Sequence, residues 1–192
     1  MKIYLASASP RRAEILSQIG ISFEQFSVSI DESVRPNEKP LTYLNRIVQN
    51  KLNSAKDSKD LIENLPVLVA DTIVVKDGVI FGKPVSFHDS KNMLLSLSNS
   101  WHKVMTSCSL EYNGRIINNV SENKVKFRTL SLDEIEKYWE TGEPEDKAGS
   151  YAIQGMGAIF VKKIKGSYSG VVGLNIFDLS KMLSKLGFEI LK

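Results

Sequence analysis

Apolar residues recur along the chain with two spacings, which predict strands and helices in alternation. Apolar or alternating runs predict strands, which are residues 2–6, 23–28, 66–75, 79–81, 104–112, 124–130, 158–164 and an edge segment at 188–191. Apolar residues three and four positions apart, with capping and stop residues, predict helices, which are residues 10–19, 42–55, 88–97, 131–142 and 174–186. Ser9 is the expected cap of the first helix, and Ser131 with Glu134 predicts a capping box at the start of the fourth. Residues 57–65 are polar and predict a linker.

Turn residues between these elements predict two hairpins. Lys76–Gly78 closes the apolar run "PVLVADTIVV", and Asn113-Gly114 separates residues 104–112 from residues 124–130. Hairpins require antiparallel neighbours, whereas a doubly wound sheet has parallel ones. We therefore expect an α/β fold with a mixed central sheet that contains hairpins and is flanked by helices.

The composition limits the range of functions. A chain of 192 residues with 42% apolar content suits one domain over residues 1–192. Its net charge of +3 favours neither a nucleic acid nor a membrane as partner, and no apolar stretch approaches the ~20 residues that span a bilayer. The single cysteine, Cys108, lies among small and apolar residues, which predicts a buried, inert thiol and a cytoplasmic protein.

The segment "LASASPRR" places two arginines where a helix begins. A helix start carries partial positive charge and unpaired N–H groups, so Arg11 and Arg12 oppose the usual preference for acidic residues there. Hydroxyls, N–H groups and two guanidiniums in one turn suit a polyphosphate, whose charge would remove the conflict. The alternative is that both arginines point into water from an ordinary helix.

Asp71 interrupts an otherwise apolar strand. An ionised carboxylate buried there without a partner would cost several kcal/mol, so Asp71 must be paired, metal-bound or at the edge of a cleft. A carboxylate held by a central strand can orient or deprotonate a water molecule, or hold a divalent cation. The alternative is a structural ion pair with a lysine.

Two lysines are candidates for contacts to a triphosphate. Lys51 follows Ile47 by four positions and Val48 by three, which puts it on the apolar side of its helix. Lys83 follows Gly82 just beyond the hairpin that contains Asp71. Either residue alone could equally be a surface lysine.

The segment "DKAGSYAIQG", residues 146–155, is too rich in glycine for a plain strand. Its Gln154 carries an amide that donates and accepts hydrogen bonds side by side, which is what reading a uracil or thymine edge requires. No zinc motif or serine-hydrolase elbow is present, and Lys162, Lys163 and Lys165 are expected to be solvated.

Several segments together resemble one family, the Maf nucleoside triphosphate pyrophosphatases. They span nearly the whole chain and are "LASASPRRAEIL", "IDE", "YLNRIVQNKL", "VADTIVVKDG", "GKP", "TGEPEDKAGSYAIQG" and "GSYSGVVGLNI". The resemblance implies a Maf/ITPase-like fold of two lobes around a cleft, a cytoplasmic location, a divalent cation (Mg²⁺ or Mn²⁺) and frequent homodimers. It also implies cleavage between the α- and β-phosphates, which yields a nucleoside monophosphate and pyrophosphate.

The same resemblance implies roles for individual residues. Asp71 corresponds to the proton acceptor, and the positions that line the phosphate and metal site are Ser7, Arg11, Arg12, Glu32, Lys51 and Lys83. Glu32 and Asp71 are the expected metal ligands. The branch of the family that acts on dTTP and UTP carries Arg, Thr and Gln at its specificity positions, which here are Arg11, Thr72 and Gln154.

Two positions depart from the family pattern, and two other functions remain open. Ser86 stands where an acidic residue is usual, and Asn175 replaces a proline before the last helix, where it is expected to affect mainly the entry to that helix. One alternative function is a regulatory protein of cell division that binds nucleic acid or a partner without turnover. The other is clearance of modified nucleotides, with dTTP and UTP only tolerated.

Overall fold

A computed structural model describes residues 1–58, 61 and 64–191, and the polar linker expected at 57–65 lies partly outside that range. The strands are β1 (Lys2–Ala6), β2 (Ser22–Phe26), β3 (Val67–Lys76), β4 (Val79–Phe81), β5 (Trp101–Tyr112), β6 (Arg115–Phe127) and β7 (Val161–Lys165). The helices are α1 (Pro10–Gln18), α2 (Pro40–Lys56), α3 (Phe87–Leu97), α4 (Leu132–Glu140), α5 (Tyr168–Val172) and α6 (Ile176–Lys185). The predicted alternation of strands and helices is confirmed in outline, but β6 begins nine residues before the strand predicted at 124–130, and α5 has no predicted counterpart.

The seven strands of the described residues form one mixed sheet. Its order is β2-β1-β3-β5-β6-β7, and β4 pairs with β3 beside this path. Strand β1 is parallel to both β2 and β3, whereas β4 runs antiparallel to β3 and β7 antiparallel to β6. The predicted α/β fold with hairpins is confirmed.

The chain forms two compact units, each built from several segments. Unit 1 comprises Met1–Asp71, Thr106–Ser121 and Gly173–Lys192, and unit 2 comprises Thr72–Met105 and Glu122–Val172. Two units agree with the two lobes that the resemblance implies. The cleft and the single domain remain predictions. Within the described residues, no helix combines the length and apolar character that crossing a membrane requires.

Helix α2 forms the core of unit 1 together with β1 and β3. The apolar positions predicted to share one face of α2 are all buried, and they are Leu44, Ile47, Val48, Leu52 and Ala55. Val48 and Leu52 belong to one apolar cluster with Tyr4 of β1 and Val69 of β3. Because the same face carries Lys51, the packing of α2 fixes where that ammonium group lies.

Strand β3 is buried except at two positions in its middle and at its last residue, Lys76. Residues 67–70 and 73–75 are buried, whereas Asp71 and Thr72 are half-buried. The strand therefore opens to solvent at the position where the sequence places its carboxylate.

Unit 2 packs around a set of aromatic rings. Phe127, Tyr151 and Phe160 meet edge to face, and the ring of Tyr138 from α4 lies 4.9 Å from that of Phe160. Helix α4 begins with the predicted capping box of Ser131, in which both reciprocal hydrogen bonds form. The helix thus has a fixed start and a buried face.

The strand predicted at residues 158–164 is wrong in its first part. Residues Met156–Phe160 form a 3₁₀ turn, and β7 begins only at Val161. The turn buries Phe160 completely and lets its carbonyl accept a hydrogen bond from the Arg128 N–H at 2.9 Å. Burial of one aromatic side chain thus overrides the local strand pattern.

The edge segment predicted at residues 188–191 is also wrong, because these residues form no strand. Gly187 has a φ of +87°, and the N–H of Phe188 reaches back to the carbonyl of Leu183 at 3.0 Å. This left-handed closure of α6 turns the chain so that Phe188 packs on Tyr112, with ring centroids 5.0 Å apart.

Both departures from the family pattern are helix caps. Asn175 Oδ1 accepts hydrogen bonds from the N–H groups of Phe177 and Asp178, and its Nδ2 donates to Ser121 Oγ at 3.0 Å. Ser86 Oγ accepts from the N–H of Asp89 at the start of α3. The expectation that Asn175 acts on the entry to the last helix is confirmed.

Cys108 and His102 are both buried, and burial shifts both of their pKa values. Burial, together with the charge of Asp178, raises the pKa of the Cys108 thiol to about 12, as expected for an inert thiol. His102 is 2% exposed; its Nε2 lies 2.8 Å from the Tyr151 hydroxyl, and its Nδ1 has no hydrogen-bond partner within the described part of the chain. Burial, with a smaller effect from Lys76, lowers the pKa of His102 to about 3.

We predict that His102 makes the protein less stable in acid. The folded chain keeps His102 neutral down to about pH 3, whereas the unfolded chain protonates it near pH 6.5. The unfolded state therefore binds more protons between these values, and stability falls as the pH drops below about 6.5. Urea unfolding of the parent and of His102→Gln at pH 7.5 and pH 5.0 should show that the variant loses less stability, by roughly 2 kcal/mol.

His88 is exposed, so His88→Gln provides the matched control and should keep the parental pH dependence. Equal acid sensitivity of the parent and His102→Gln would contradict the prediction.

Candidate active site

The turn between β1 and α1 is organised around Ser7. Ser7 Oγ accepts hydrogen bonds from the Ser9 N–H at 3.2 Å and from Arg12 Nη1 at 2.8 Å. Gln25 of β2 donates to the Ser7 carbonyl at 2.7 Å, which fixes the backbone of the turn. A hydroxyl has two acceptor sites and one hydrogen, so Ser7 retains its hydrogen for an acceptor such as a phosphate oxygen.

Helix α1 starts without a side-chain cap. Ser9 occupies the N-cap position as predicted, and Pro10 is the first residue of the helix. The Ser9 side chain makes no capping hydrogen bond. The first turn also contains no acidic residue. A helix start without a side-chain cap or an acidic residue, together with the positive end of the helix dipole, suits an anion.

The two arginines of this turn have different environments. Arg12 is only 8% exposed, and its Nε donates to the carbonyl of Gly173 at 3.0 Å. Burial lowers the pKa of its guanidinium, while the charges of Asp71 and Glu32 oppose that shift. Arg11 is half-buried and has no hydrogen bond or ion pair within the described residues. The alternative that both arginines point into water is therefore wrong for Arg12.

Lys51 lies between two carboxylates. Its Nζ is 2.7 Å from Asp71 Oδ1 and 2.7 Å from Glu32 Oε1. The Lys51 side chain is 12% exposed, so its charge is largely removed from water. An ammonium group has three N–H donors, and two of them are used here. The third N–H can serve a further acceptor.

The loop that carries Glu32 is held to α2 by two residues that the sequence analysis missed. Tyr43 donates its hydroxyl to the Glu32 carbonyl at 2.9 Å. Arg46 binds both oxygens of Glu38 at 2.6 Å and also donates to the Ser33 carbonyl at 2.9 Å. Hydrogen bonds from Arg46 lower the pKa of Glu38 to about 2, so this pair stays charged at neutral pH.

Asp71 is accessible from solvent. Its side chain is 15% exposed, and Lys51 contacts one of its two oxygens. Asp71 does form the ion pair with a lysine that the sequence offered as the alternative. The same lysine, however, also contacts Glu32. A purely structural Lys51–Asp71 pair would be complete without Glu32, whose side chain is 50% exposed.

The donor set fits a divalent cation that also binds phosphate. Glu32 and Asp71 supply carboxylate oxygens close to one nitrogen, and such oxygens are the ligands that Mg²⁺ and Mn²⁺ prefer. Among the described residues, no group of three or more His, Cys, Asp or Glu side chains could hold a metal by itself. Mg²⁺ commonly binds through one or two carboxylates and completes its shell with substrate phosphates and water.

The remaining candidates belong to unit 2. Thr72 follows Asp71 directly and is half-buried, and Gln154 is exposed in a turn. Lys83 is exposed and follows Gly82, whose carbonyl accepts the N–H of Gly149 at 3.0 Å. Within unit 2 the glycine-rich segment at 146–155 thus contacts the loop that carries Lys83. How these three side chains face the unit 1 group remains a prediction.

The chain is similar to named relatives over nearly its whole length. It is 45% identical over 185 residues to the dTTP/UTP pyrophosphatase of Pseudoalteromonas atlantica (strain T6c / ATCC BAA-1087), covering 96% of each chain. It is 44% identical to the protein of that name from Hydrogenovibrio crunogenus (strain DSM 25203 / XCL-2), covering 97% of each chain.

A third relative, the dTTP/UTP pyrophosphatase of Neisseria meningitidis serogroup B (strain ATCC BAA-335 / MC58), is 42% identical over 97% of this chain and 95% of its own. A nucleoside-triphosphatase / dITP/XTP pyrophosphatase structure from Mycobacterium abscessus ATCC 19977 / DSM 44196 is 15% identical, with a TM-score of 0.48 over 97% of this chain and 94% of its own. That structural likeness supports no inference about the present chain.

The family assignment agrees with the motifs in the sequence. Residues 2–186 match the family described as Maf-like protein, which leaves only the first residue and the last six outside the match. Together with the full-length relatives, this shows that the chain belongs to the Maf-like protein family.

Proposed function

We propose that this chain is a nucleoside triphosphate pyrophosphatase that hydrolyses dTTP and UTP to the nucleoside monophosphate and pyrophosphate. Relatives of 42–45% identity with that activity in their names support the substrate class. The observation that carries the proposal is the Lys51 ammonium held by Asp71 and Glu32 in a solvent-accessible part of unit 1. A cation and two carboxylates in this arrangement can bind phosphate and a metal ion, and their role is therefore not limited to stabilising the fold.

Binding of the triphosphate is assigned to the cationic groups and to one hydroxyl. Lys51 and Ser7 each retain a hydrogen-bond donor, and Arg11 has no competing partner within the described chain. Arg12 adds positive charge from a buried position, and the exposed Lys83 of unit 2 is assigned a further contact to the phosphates. Fixed cations stabilise the charge that moves onto the leaving pyrophosphate, which is the main source of rate in phosphoryl transfer.

Glu32 and Asp71 would hold the divalent cation, Mg²⁺ or Mn²⁺, together with phosphate oxygens. When bound, such a cation neutralises negative charge on the phosphates. Besides binding phosphate, Lys51 has a second role, because it keeps the two carboxylates in place when no substrate is present.

Asp71 is the general base of this proposal. Lys51 binds Oδ1 at 2.7 Å and thereby sets the direction of Oδ2, which can accept a proton from water. The oxygen of that water forms a bond to the α-phosphorus, and the bond between the α-phosphorus and the bridging oxygen breaks. The electron pair leaves with pyrophosphate, and the proton of the water moves to Asp71.

Base selection is assigned to Thr72 and Gln154, with Arg11 at the third specificity position of the family. The exposed Gln154 amide makes no hydrogen bond within the described chain, so it can both donate to and accept from a pyrimidine edge. A cytoplasmic location and a homodimer are proposed on the resemblance alone. We propose no nucleic acid partner.

The first test is the identity of the product. With a panel of nucleoside triphosphates and Mg²⁺ or Mn²⁺, we expect pyrophosphate and the monophosphate from dTTP and UTP, because attack falls on the α-phosphorus. Pyrophosphate and orthophosphate are measured side by side. Orthophosphate as the primary product would contradict the proposed bond cleavage, and the absence of any turnover would favour the regulatory alternative.

The second test is Asp71→Asn. Loss of the Asp71 carboxylate, the general base, should reduce kcat for UTP by at least ~100-fold, while circular dichroism shows a retained fold. Asp77→Asn is the matched control, because Asp77 is exposed in a turn with a φ of +50° that asparagine tolerates well. Near-normal turnover of Asp71→Asn would remove Asp71 from its role.

The third test is Gln154→Ala. Without the amide, the ratio of kcat/KM for UTP to that for CTP should fall about tenfold, since the two bases differ at the edge that Gln154 would read. Gln49→Ala, at an exposed position of α2, is the control and should keep the parental ratio. An unchanged ratio in Gln154→Ala would exclude Gln154 from base selection.

A further inference from the structure

The turn that carries Gln154 is short and rich in glycine. Residues 152–155 form it, and the N–H of Gly155 donates to the Ala152 carbonyl at 3.4 Å. Gln154 lies exposed at its tip and makes no hydrogen bond of its own within the described residues. The position of its amide therefore depends on what holds the backbone on either side.

Two residues from the α4 region hold that backbone. The Tyr138 hydroxyl donates to Glu143 Oε1 at 2.6 Å and accepts the N–H of Ala152 at 3.2 Å. Glu143 in turn accepts the N–H groups of Met156 at 2.8 Å and of Gly157 at 2.9 Å. One connected pair of side chains thus binds three backbone N–H groups, one before Gln154 and two after it.

The glycines of the sequence "QGMG" are explained by this contact. A Cβ atom on Gly155 would overlap the Glu143 carboxylate, and one on Gly157 would lie 2.6 Å from the Tyr138 oxygen. Neither glycine has a positive φ, so the reason for glycine here is the close approach of the two side chains.

The pair of Tyr138 and Glu143 carries a charge and is attached to the core of unit 2. Tyr138 is buried, and its ring packs edge to face on Phe160 at 4.9 Å. Burial acts to raise the pKa of Glu143, but the hydrogen bonds from Tyr138, Gly157 and Met156 outweigh it and leave the pKa below its usual value. The carboxylate is therefore ionised at neutral pH, and its hydrogen bonds are of the stronger, charge-assisted kind.

We infer that Glu143 is a positioning residue for base selection, which acts with Tyr138 by fixing the backbone on both sides of Gln154. This inference rests on the proposed function, in which Gln154 reads the pyrimidine. Within the described residues, the hydrogen bonds of the Glu143 carboxylate all come from groups of unit 2. Its loss should therefore weaken discrimination between bases and raise KM, while kcat at saturating UTP changes little.

The experiment is a double-mutant cycle with Glu143→Gln and Gln154→Ala. Glu143→Gln alone should lower the UTP-to-CTP ratio of kcat/KM at least about threefold. In the Gln154→Ala background the same change should have no further effect on the ratio, because the side chain it positions is gone. Tyr138→Phe, which removes the bridging hydroxyl but keeps the packed ring, should reproduce the result if Glu143→Gln folds poorly.

Three further readouts separate positioning from a general structural defect. Glu145→Gln makes the same chemical change at an exposed position of the same loop, and it should behave like the parent. Inhibition by inorganic tripolyphosphate, which lacks a base, should be unchanged in Glu143→Gln. Hydrogen exchange of the backbone amides in residues 152–157 should become faster in Glu143→Gln.

Different failures point to different errors. Unchanged exchange in Glu143→Gln, or an equal loss of discrimination in both backgrounds, would overturn the inference and leave the proposed function intact. Weaker inhibition by tripolyphosphate would also overturn it, because the defect would then extend to the phosphate site. An unchanged ratio in Gln154→Ala alone would overturn the proposed reading of the base, and the inference with it.

Discussion

The site in unit 1 depends on a single ammonium group, that of Lys51, placed between Asp71 and Glu32. On β3 the Asp71 side chain is only 15% exposed, so an unpaired carboxylate there would be costly, and the Lys51 side chain on the apolar face of α2 is 12% exposed. Each charge is tolerated because the other is present. The pairing nevertheless leaves one donor of Lys51 and one oxygen of Asp71 for other partners, so the interaction that stabilises the fold also prepares the site.

Polar contacts around Lys51, Asp71 and Glu32 hold the elements that carry them in place. Arg12 links the start of α1 to the backbone at Gly173, and Arg46 ties the loop that carries Glu32 to α2. Both arginines act on backbone carbonyls as well as on side chains. The site in unit 1 is therefore built from a strand, two helix segments and a loop whose relative positions are fixed by polar contacts. Preorganisation of this kind lets fixed charges stabilise a transition state without reorganisation.

Much of the fold follows from local signals in the sequence. The capping box at Ser131 and the Asn113-Gly114 turn act through neighbouring residues, and both are confirmed. The error at residues 158–160 arises from burial of Phe160 against distant parts of the chain, whereas the error at residues 188–191 arises from the local left-handed closure of α6 at Gly187. Asp71 and Lys51 could be found because each breaks an apolar pattern. Tyr43, Arg46 and Glu143 could not, because they act by holding backbone groups that no sequence pattern marks.

The most direct measurement is a crystal structure of the protein with Mg²⁺ and the non-hydrolysable analogue α,β-imido-UTP. The account predicts that a phosphate oxygen accepts a hydrogen bond from Lys51 Nζ, and that Glu32 and Asp71 bind the metal beside it. A triphosphate bound away from Lys51, with the ammonium group still closed off by its two carboxylates, would contradict the account.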